Sequence, residues 1–278
     1  MIGCGNWGSK LAERFASLVE RLYLYDIDLE HREALIQKMG VIAGAQEELG
    51  WYLLQAEACV IATPPDTHYE IAKRCLEANK HVLVEKPMSL TPTHTSELVS
   101  LAQARGLTLM VDDTFMYTPQ VLELPIFHVK AMDAYWTGPR ASTPKDGILW
   151  ELGPHPISIM LHVMRRWPVR VIGVQSEREA SMVCDFTGNS QAFISLSYNT
   201  PVKRRRLYLG GYTDSRSVDF NIPIKVEDPL TAMCRSFVQR VENPPWVDVH
   251  SHDVVKILHY IDNNIQRYQQ VNRNGGNA

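Results

Sequence analysis

A glycine string, a lysine before a proline, and a carboxylate–imidazole pair are the residues of this chain whose spacing can do chemistry. Gly3-Cys4-Gly5-Asn6-Trp7-Gly8 fits G-x-G-x-x-G. The first glycine permits a tight strand-to-helix turn, and the second lets a pyrophosphate approach the backbone. The third lets the helix pack close to the strand. The start of that helix then offers N–H groups and a partial positive charge to the anion. Asp26 follows Gly8 by eighteen residues, at the end of the next strand. A carboxylate there can accept the ribose hydroxyls of a dinucleotide. It would repel the extra phosphate of NADP, and no arginine follows directly, so NAD is the expected cofactor and NADP the less suited one.

Thr63-Pro64-Pro65-Asp66-Thr67-His68 follows a third strand, on a loop that lies beside the cofactor crevice in a sheet of this kind. Thr63, Pro64 and His68 are therefore candidate cofactor contacts. Glu85-Lys86-Pro87 also ends a strand on that side. Lys86 can donate to the oxygen of a reacting alcohol, and Glu85 can hold a ribose or the lysine itself. Glu151 and His155 stand at i and i+4, one turn apart on a helix. A histidine oriented by a carboxylate is the usual base for a hydroxyl proton. Plainer roles remain open from the residues alone: a helix cap for Thr67, core packing for His68 and His155, a surface lysine for Lys86.

The elements that must position these groups change character along the chain. Helical patterns at Trp7 to Leu18, Leu29 to Met39, Thr67 to Ala78 and Thr91 to Ala104 alternate with short apolar strands. Those strands are Leu22 to Tyr25, Cys59 to Ala62, Val82 to Val84 and Leu107 to Val111. Strands separated by helices imply βαβ units and a doubly wound parallel sheet. After about Tyr117 the rhythm turns to strands: Ile126 to Trp136, Val169 to Glu177, Ser181 to Phe186, Gln191 to Tyr198, Arg205 to Gly210 and Ser217 to Phe220. Helices are expected only at Ile157 to Met164, Pro229 to Val241 and Asp253 to Gln269. The expected fold class is α/β: a dinucleotide-binding domain over 1–116, then an α+β domain over 117–278 with a mostly antiparallel sheet.

The composition is that of a globular protein. The chain has 278 residues, a net charge of −3, 45% hydrophobic and 21% charged residues. Its weak negative charge gives no reason to expect nucleic acid or a membrane as a partner. Lys203-Arg204-Arg205-Arg206 is the only basic run, suited to a solvated strand end or a substrate phosphate. Cys4, Cys59, Cys75, Cys184 and Cys234 form no CxxC pair. No metal site is expected, and buried free thiols fit a cytoplasmic location.

The glycine string, Ile61 to His68, Val84-Glu85-Lys86-Pro87, Trp150-Glu151-Leu152-Gly153-Pro154-His155 and Pro229-Leu230…Phe237 together resemble the Gfo/Idh/MocA family of oxidoreductases. The resemblance extends over nearly the whole chain. It implies a Rossmann domain followed by a domain with a large open sheet that forms a homodimer or homotetramer interface. It also implies oxidation or reduction of a hydroxyl of a sugar, sugar nucleotide or cyclitol with NAD(P). Lys86 matches the family's catalytic lysine, and His155 the histidine of its Asp-x-x-x-His pair. Glu151 stands at the aspartate position, one methylene longer. The family also holds NAD-binding regulators without turnover, and glycosidases that use NAD as a transient oxidant. Two departures shape further expectations. Pro119 to Ile126 is too short for the helix expected there. Only Met1 and Ile2 precede Gly3, which leads us to expect exposed apolar edges at Leu22 to Tyr25 and Cys59 to Ala62, and a start internal to a longer chain.

Overall fold

The computed structural model describes the chain except residues 41–47, 125–128, 143, 212–213, 223–226 and 276–278, and gives only the backbone over 265–275. Two compact units are present. One comprises Met1–Tyr117 and Glu227–Val255, the other Thr118–Val226 and Lys256–Ala278. The return of 227–255 to the first unit differs from the single 117–278 domain expected above.

The first unit runs α1 (Asn6–Phe15), α2 (Leu29–Met39), α3 (Leu49–Gln55), β1 (Ala58–Ile61), α4 (His68–Glu77), β2 (His81–Glu85), α5 (Pro92–Arg105) and β3 (Leu109–Asp112). The three strands pair in parallel in the order β1-β2-β3. Local chemistry sets the helix ends. Asp28 caps α2 by accepting from Glu30 N at 3.0 Å, Thr91 caps α5 ahead of Pro92, and Gly106 ends α5 in the left-handed region. Strand residues alternate between two cores. Val60, Leu83 and Met110 pack with Leu11, Phe15 and Phe237, while Cys59, Ile61, Val82, Val84 and Val111 pack with Cys75, Leu76 and Leu98. Burial on both faces is the mark of a doubly wound sheet.

The expected strand at Leu22 to Tyr25 is reduced to one bridging residue. Ile2 pairs in parallel with Tyr25 on one side and Ile61 on the other. Gly3 N donates to Tyr25 O at 2.9 Å and Ala62 N to Ile2 O at 2.8 Å. A single residue thus fills the slot. Ile2, Leu24, Cys59, Val60 and Ile61 are all buried, so the exposed edges expected here are absent. At the far edge, Val247 extends the sheet beside Leu109. Helix α3 had no cap signal to betray it; Glu48 makes no side-chain cap bond.

The second unit runs α6 (Pro119–Leu122), β4 (Ala131–Thr137), α7 (Gly147–Leu152), α8 (Pro154–Met164), β5 (Arg170–Gln175), β6 (Glu179–Phe186), β7 (Ser190–Ser197), β8 (Arg204–Gly210) and β9 (Ser215–Asp219). The sheet order is β5-β6-β7-β4-β8-β9. Among the described residues of this unit, only β4 and β7 pair in parallel. One face is buried under α7 and α8, including Met132, Ala134, Trp136, Ile194, Leu196 and Leu207. The other carries Ile172, Val174, Tyr135, Phe193 and Tyr208, exposed or half-buried. Helix α6 is a single turn capped by Thr118, and part of the strand expected from Ile126 lies outside the described residues. Helices α9 (Pro229–Glu242) and α10 (His250–Gly275) close the chain. Among the described residues no helix is long and apolar enough to cross a membrane.

Candidate functional site

The glycine turn is closed where it must be closed and open where a ligand must approach. Gly3 has φ +93°, and a Cβ there would stand 2.5 Å from Ala62 O. A Cβ on Gly8 would overlap Gly3 O, whereas one on Gly5 would meet nothing within 4 Å. The gap at Gly5 faces the start of α1, whose first turn has no side-chain cap. Unspent N–H groups beside a bare glycine fit an anionic ligand. Asp26 sits against this turn: its Oδ2 accepts from Cys4 N at 2.6 Å and its Oδ1 from Asp28 N at 2.8 Å. A carboxylate has about four acceptor positions, so lone pairs remain for ribose hydroxyls. The residues present therefore fit a dinucleotide.

Trp7, within the glycine string, leads to a residue that sequence reasoning missed. Its Nε1 donates to Asp112 Oδ2 at 2.7 Å, and Thr114 Oγ1 donates to Asp112 Oδ1 at 2.7 Å. Asp112 ends β3 in register with Glu85, which ends β2. Burial, and then the neighbouring Asp112 carboxylate, hold the Glu85 carboxyl well above the usual range. Glu85 Oε2 accepts from Lys86 N at 3.0 Å, which fixes the lysine's backbone. Carboxylates ending two adjacent parallel strands were the available sequence signal.

A carboxyl with a raised folded pKa contributes stability below its unfolded pKa and loses it as pH rises through the folded value. The melting temperature of the protein should thus fall from mildly acidic to alkaline pH more steeply than that of Glu85→Gln. The variant should gain about 4–8 °C per kcal/mol recovered in a small domain, and less in a larger one. Parallel melting curves across that range would rule the buried acid out.

His68, a candidate cofactor contact, is engaged with the protein's own backbone. It is buried, with Nδ1 2.8 Å from Pro87 O and Nε2 2.8 Å from Thr63 O. Both ring nitrogens are spent clamping the Thr63-Pro64 loop to the loop after Lys86. Burial lowers its pKa, against the opposing pull of the two carbonyls. Thr67 does not cap α4. Its Oγ1 lies 2.7 Å from both Pro64 O and Thr63 Oγ1, bracing the same loop.

The first unit thus gathers Gly3, Gly5, Asn6, Trp7, Gly8, Asp26, Thr63, Pro64, Glu85 and Lys86. The second carries Glu151 at the end of α7 and His155 in the first turn of α8. Gly153 between them keeps helical dihedrals, and Ile157 N donates to Gly153 O at 3.1 Å. The i, i+4 relation therefore survives the break made by Pro154 and Pro156. Glu151 Oε1 accepts from Arg140 Nη1 at 2.6 Å, a partner that no motif announced.

Comparison with known proteins agrees with this geometry. Residues 1–113 match the family described as "Oxidoreductase family, NAD-binding Rossmann fold". The uncharacterized oxidoreductase YhhX of Escherichia coli is 31% identical over 159 residues, covering 50% of this chain and 46% of its own. The scyllo-inositol 2-dehydrogenase (NADP(+)) IolW of Bacillus subtilis is 26% identical over 200 residues, covering 63% of this chain and 55% of its own. The chain thus spans about half the length of these relatives. UDP-N-acetylglucosamine 3-dehydrogenase GnnA from Acidithiobacillus ferrooxidans shares the fold, with a TM-score of 0.89 at 20% identity, over 96% of this chain and 97% of that one. The Rossmann unit and its glycine turn define a fold suited to a dinucleotide. That match, over the first 113 residues, is to the Gfo/Idh/MocA family that the sequence motifs resemble.

Proposed function

We propose that the protein is an NAD-dependent oxidoreductase that moves hydride between a secondary alcohol of a sugar, sugar nucleotide or cyclitol and the nicotinamide. The observation that carries this reading is the glycine turn, open only at Gly5 and braced by Asp26. When bound, the cofactor supplies the hydride acceptor. This chain's residues supply the rest. Lys86 Nζ hydrogen-bonds the alcohol oxygen and lowers the pKa of its proton. A ring nitrogen of His155 takes that proton, and Glu151 orients the imidazole. Glu85 and His68 position Lys86 through its own and the next residue's backbone.

Asp26 sets the cofactor preference. Ile27 beside it is exposed and uncharged, and Arg32 is buried in α2. NAD should raise the melting temperature more than NADP at equal concentration. Asp26→Ser with Ile27→Arg should reverse the order. Equal or tighter NADP binding by the unmodified protein would sink this assignment, and IolW, named as NADP-linked, makes the comparison worth running. Net NADH formation on a panel of sugars, sugar nucleotides and cyclitols tests turnover itself.

The exposed sheet face fits a second copy of the chain. Ile172 and Val174 project from edge strand β5, and Tyr135 packs edge-on against both Phe193 and Tyr208. A contiguous apolar face of this kind marks an interface. Light scattering should give a dimer or tetramer, and Ile172→Asp should shift it towards monomer. A monomer at all concentrations contradicts this.

A further inference from the structure

We infer that Arg205, Arg140 and Tyr198 form a subsite for an anionic group of the substrate, a phosphate or a carboxylate, beside Glu151. The inference rests on the dehydrogenase reading for its location and on the second unit alone for its chemistry. Arg205 belongs to the basic run, but its alternation separates it from Arg204 and Arg206. It pairs with Trp136 in β4, and so lies on the sheet face that α7 and α8 cover. Half-buried there, its Nη1 donates to Thr137 O at 2.7 Å and Arg204 O at 2.9 Å. Among the described residues no carboxylate forms an ion pair with it. A desolvated guanidinium satisfied only by carbonyls is an unspent positive charge.

Tyr198 supplies an independent sign. The residue is 5% exposed, and its hydroxyl has no well-formed hydrogen bond. It follows β7 on the same covered face, with the Arg140 guanidinium 5.8 Å from its ring centre. Burial, reinforced by the Glu151 charge, pushes its pKa up to about 12. It is therefore a neutral O–H donor in search of an acceptor. Arg178 fixes the frame, donating 2.9 Å to Arg140 O and 3.3 Å to Tyr198 O. Two guanidinium groups, those of Arg140 and Arg205, lie near one carboxylate, Glu151, which Arg140 already holds. The cluster has a surplus of positive charge and buried donors, and oxyanions match both. Arg's planar fork favours the paired oxygens of a carboxylate or phosphate.

Calorimetric titration with glucose, glucose 1-phosphate and glucuronate, with and without saturating NAD, tests this. At least one anion should bind tenfold or more tightly than glucose. Arg205→Gln should cancel that advantage and leave glucose affinity unchanged. Arg205→Lys should restore part of it. Arg140→Gln, at a more exposed position, should cut the advantage in the same direction and keeps the test open if Arg205→Gln fails to fold. Which anion wins separates a phosphorylated or nucleotide-linked sugar from a uronic acid. Equal binding of all three sugars, no binding of either anion at millimolar concentration, or equal weakening of glucose and anions by the variants would overturn the inference. Failure of NAD to bind would count against the dehydrogenase reading instead, and the titration without NAD would still decide this one.

Discussion

Lys86→Ala should lower kcat by roughly 10²-fold or more, the scale for losing a positioned acid or base, with NAD affinity nearly kept. The lysine stands one residue beyond the end of β2, and its backbone N–H is bound by Glu85. The loop that carries it is held in turn by the buried ring of His68 at Pro87 O. These supports do not involve the Lys86 ammonium, so alanine should leave the strand and the glycine turn intact. His155→Ala should reduce kcat on the same scale, since helix α8 keeps nine other buried apolar or small positions, among them Ile157, Ile159 and Met160, to hold it. Steady-state rates on the responding sugar, beside melting curves, check both. Wild-type turnover by either variant removes its catalytic role. If both variants only lower the melting temperature, the surface-lysine and core-histidine readings stand.

Gly8→Ala should abolish measurable NAD binding and destabilise the first unit. Its new methyl would coincide with the Gly3 carbonyl oxygen, which is backbone and cannot rotate away. Gly3 is itself pinned by its hydrogen bond to Tyr25 O and by Ala62. Relief must therefore come from moving α1 off the sheet, where Leu11, Ala12 and Phe15 are buried. Overpacking of this kind costs about 1–3 kcal/mol, and the shifted helix start loses its aim at the ligand. Gly5→Ala is the control: its Cβ meets no protein atom within 4 Å, so it should weaken NAD through contact with the ligand and spare the melting temperature of the apo protein. If Gly8→Ala binds NAD normally, the turn is not the phosphate site.

Much of this site could be read from the chain because its determinants are local. The glycine turn and the helices expected to open at Leu29 and near Thr91 each depend on a few adjacent residues, and α1, α2 and α5 are found there. What depends on register or on distant packing could not be read. Asp112 became visible only when β2 and β3 paired and set it beside Glu85. Arg205 read as part of a solvated strand end or a contact to substrate phosphate, and strand alternation turned it to the covered face. His68 looked like a loop residue near a ligand, and two carbonyls 2.8 Å away claimed its ring instead. The sequence placed a helix at Pro229 to Val241, and the structure buries its Leu230, Met233 and Phe237. It carried no information about which unit receives them.

That last point bears on the order in which the protein can be made. Phe237 stacks edge-on against Phe15 at 6.1 Å, and Leu230, Met233 and Cys234 share the core that holds Leu11 and Leu24. Thr108 Oγ1 reaches Arg240 O, and Val247 completes the sheet edge. The earlier-made part of the first unit therefore waits for residues that emerge 110 or more positions after Tyr117. Until they arrive, Leu11, Phe15 and Leu24 lack part of their cover, the situation in which nascent chains aggregate or recruit chaperones. A ribosome-stalled 1–117 chain should accordingly be protease-sensitive, and supplying 227–255 in trans should protect it.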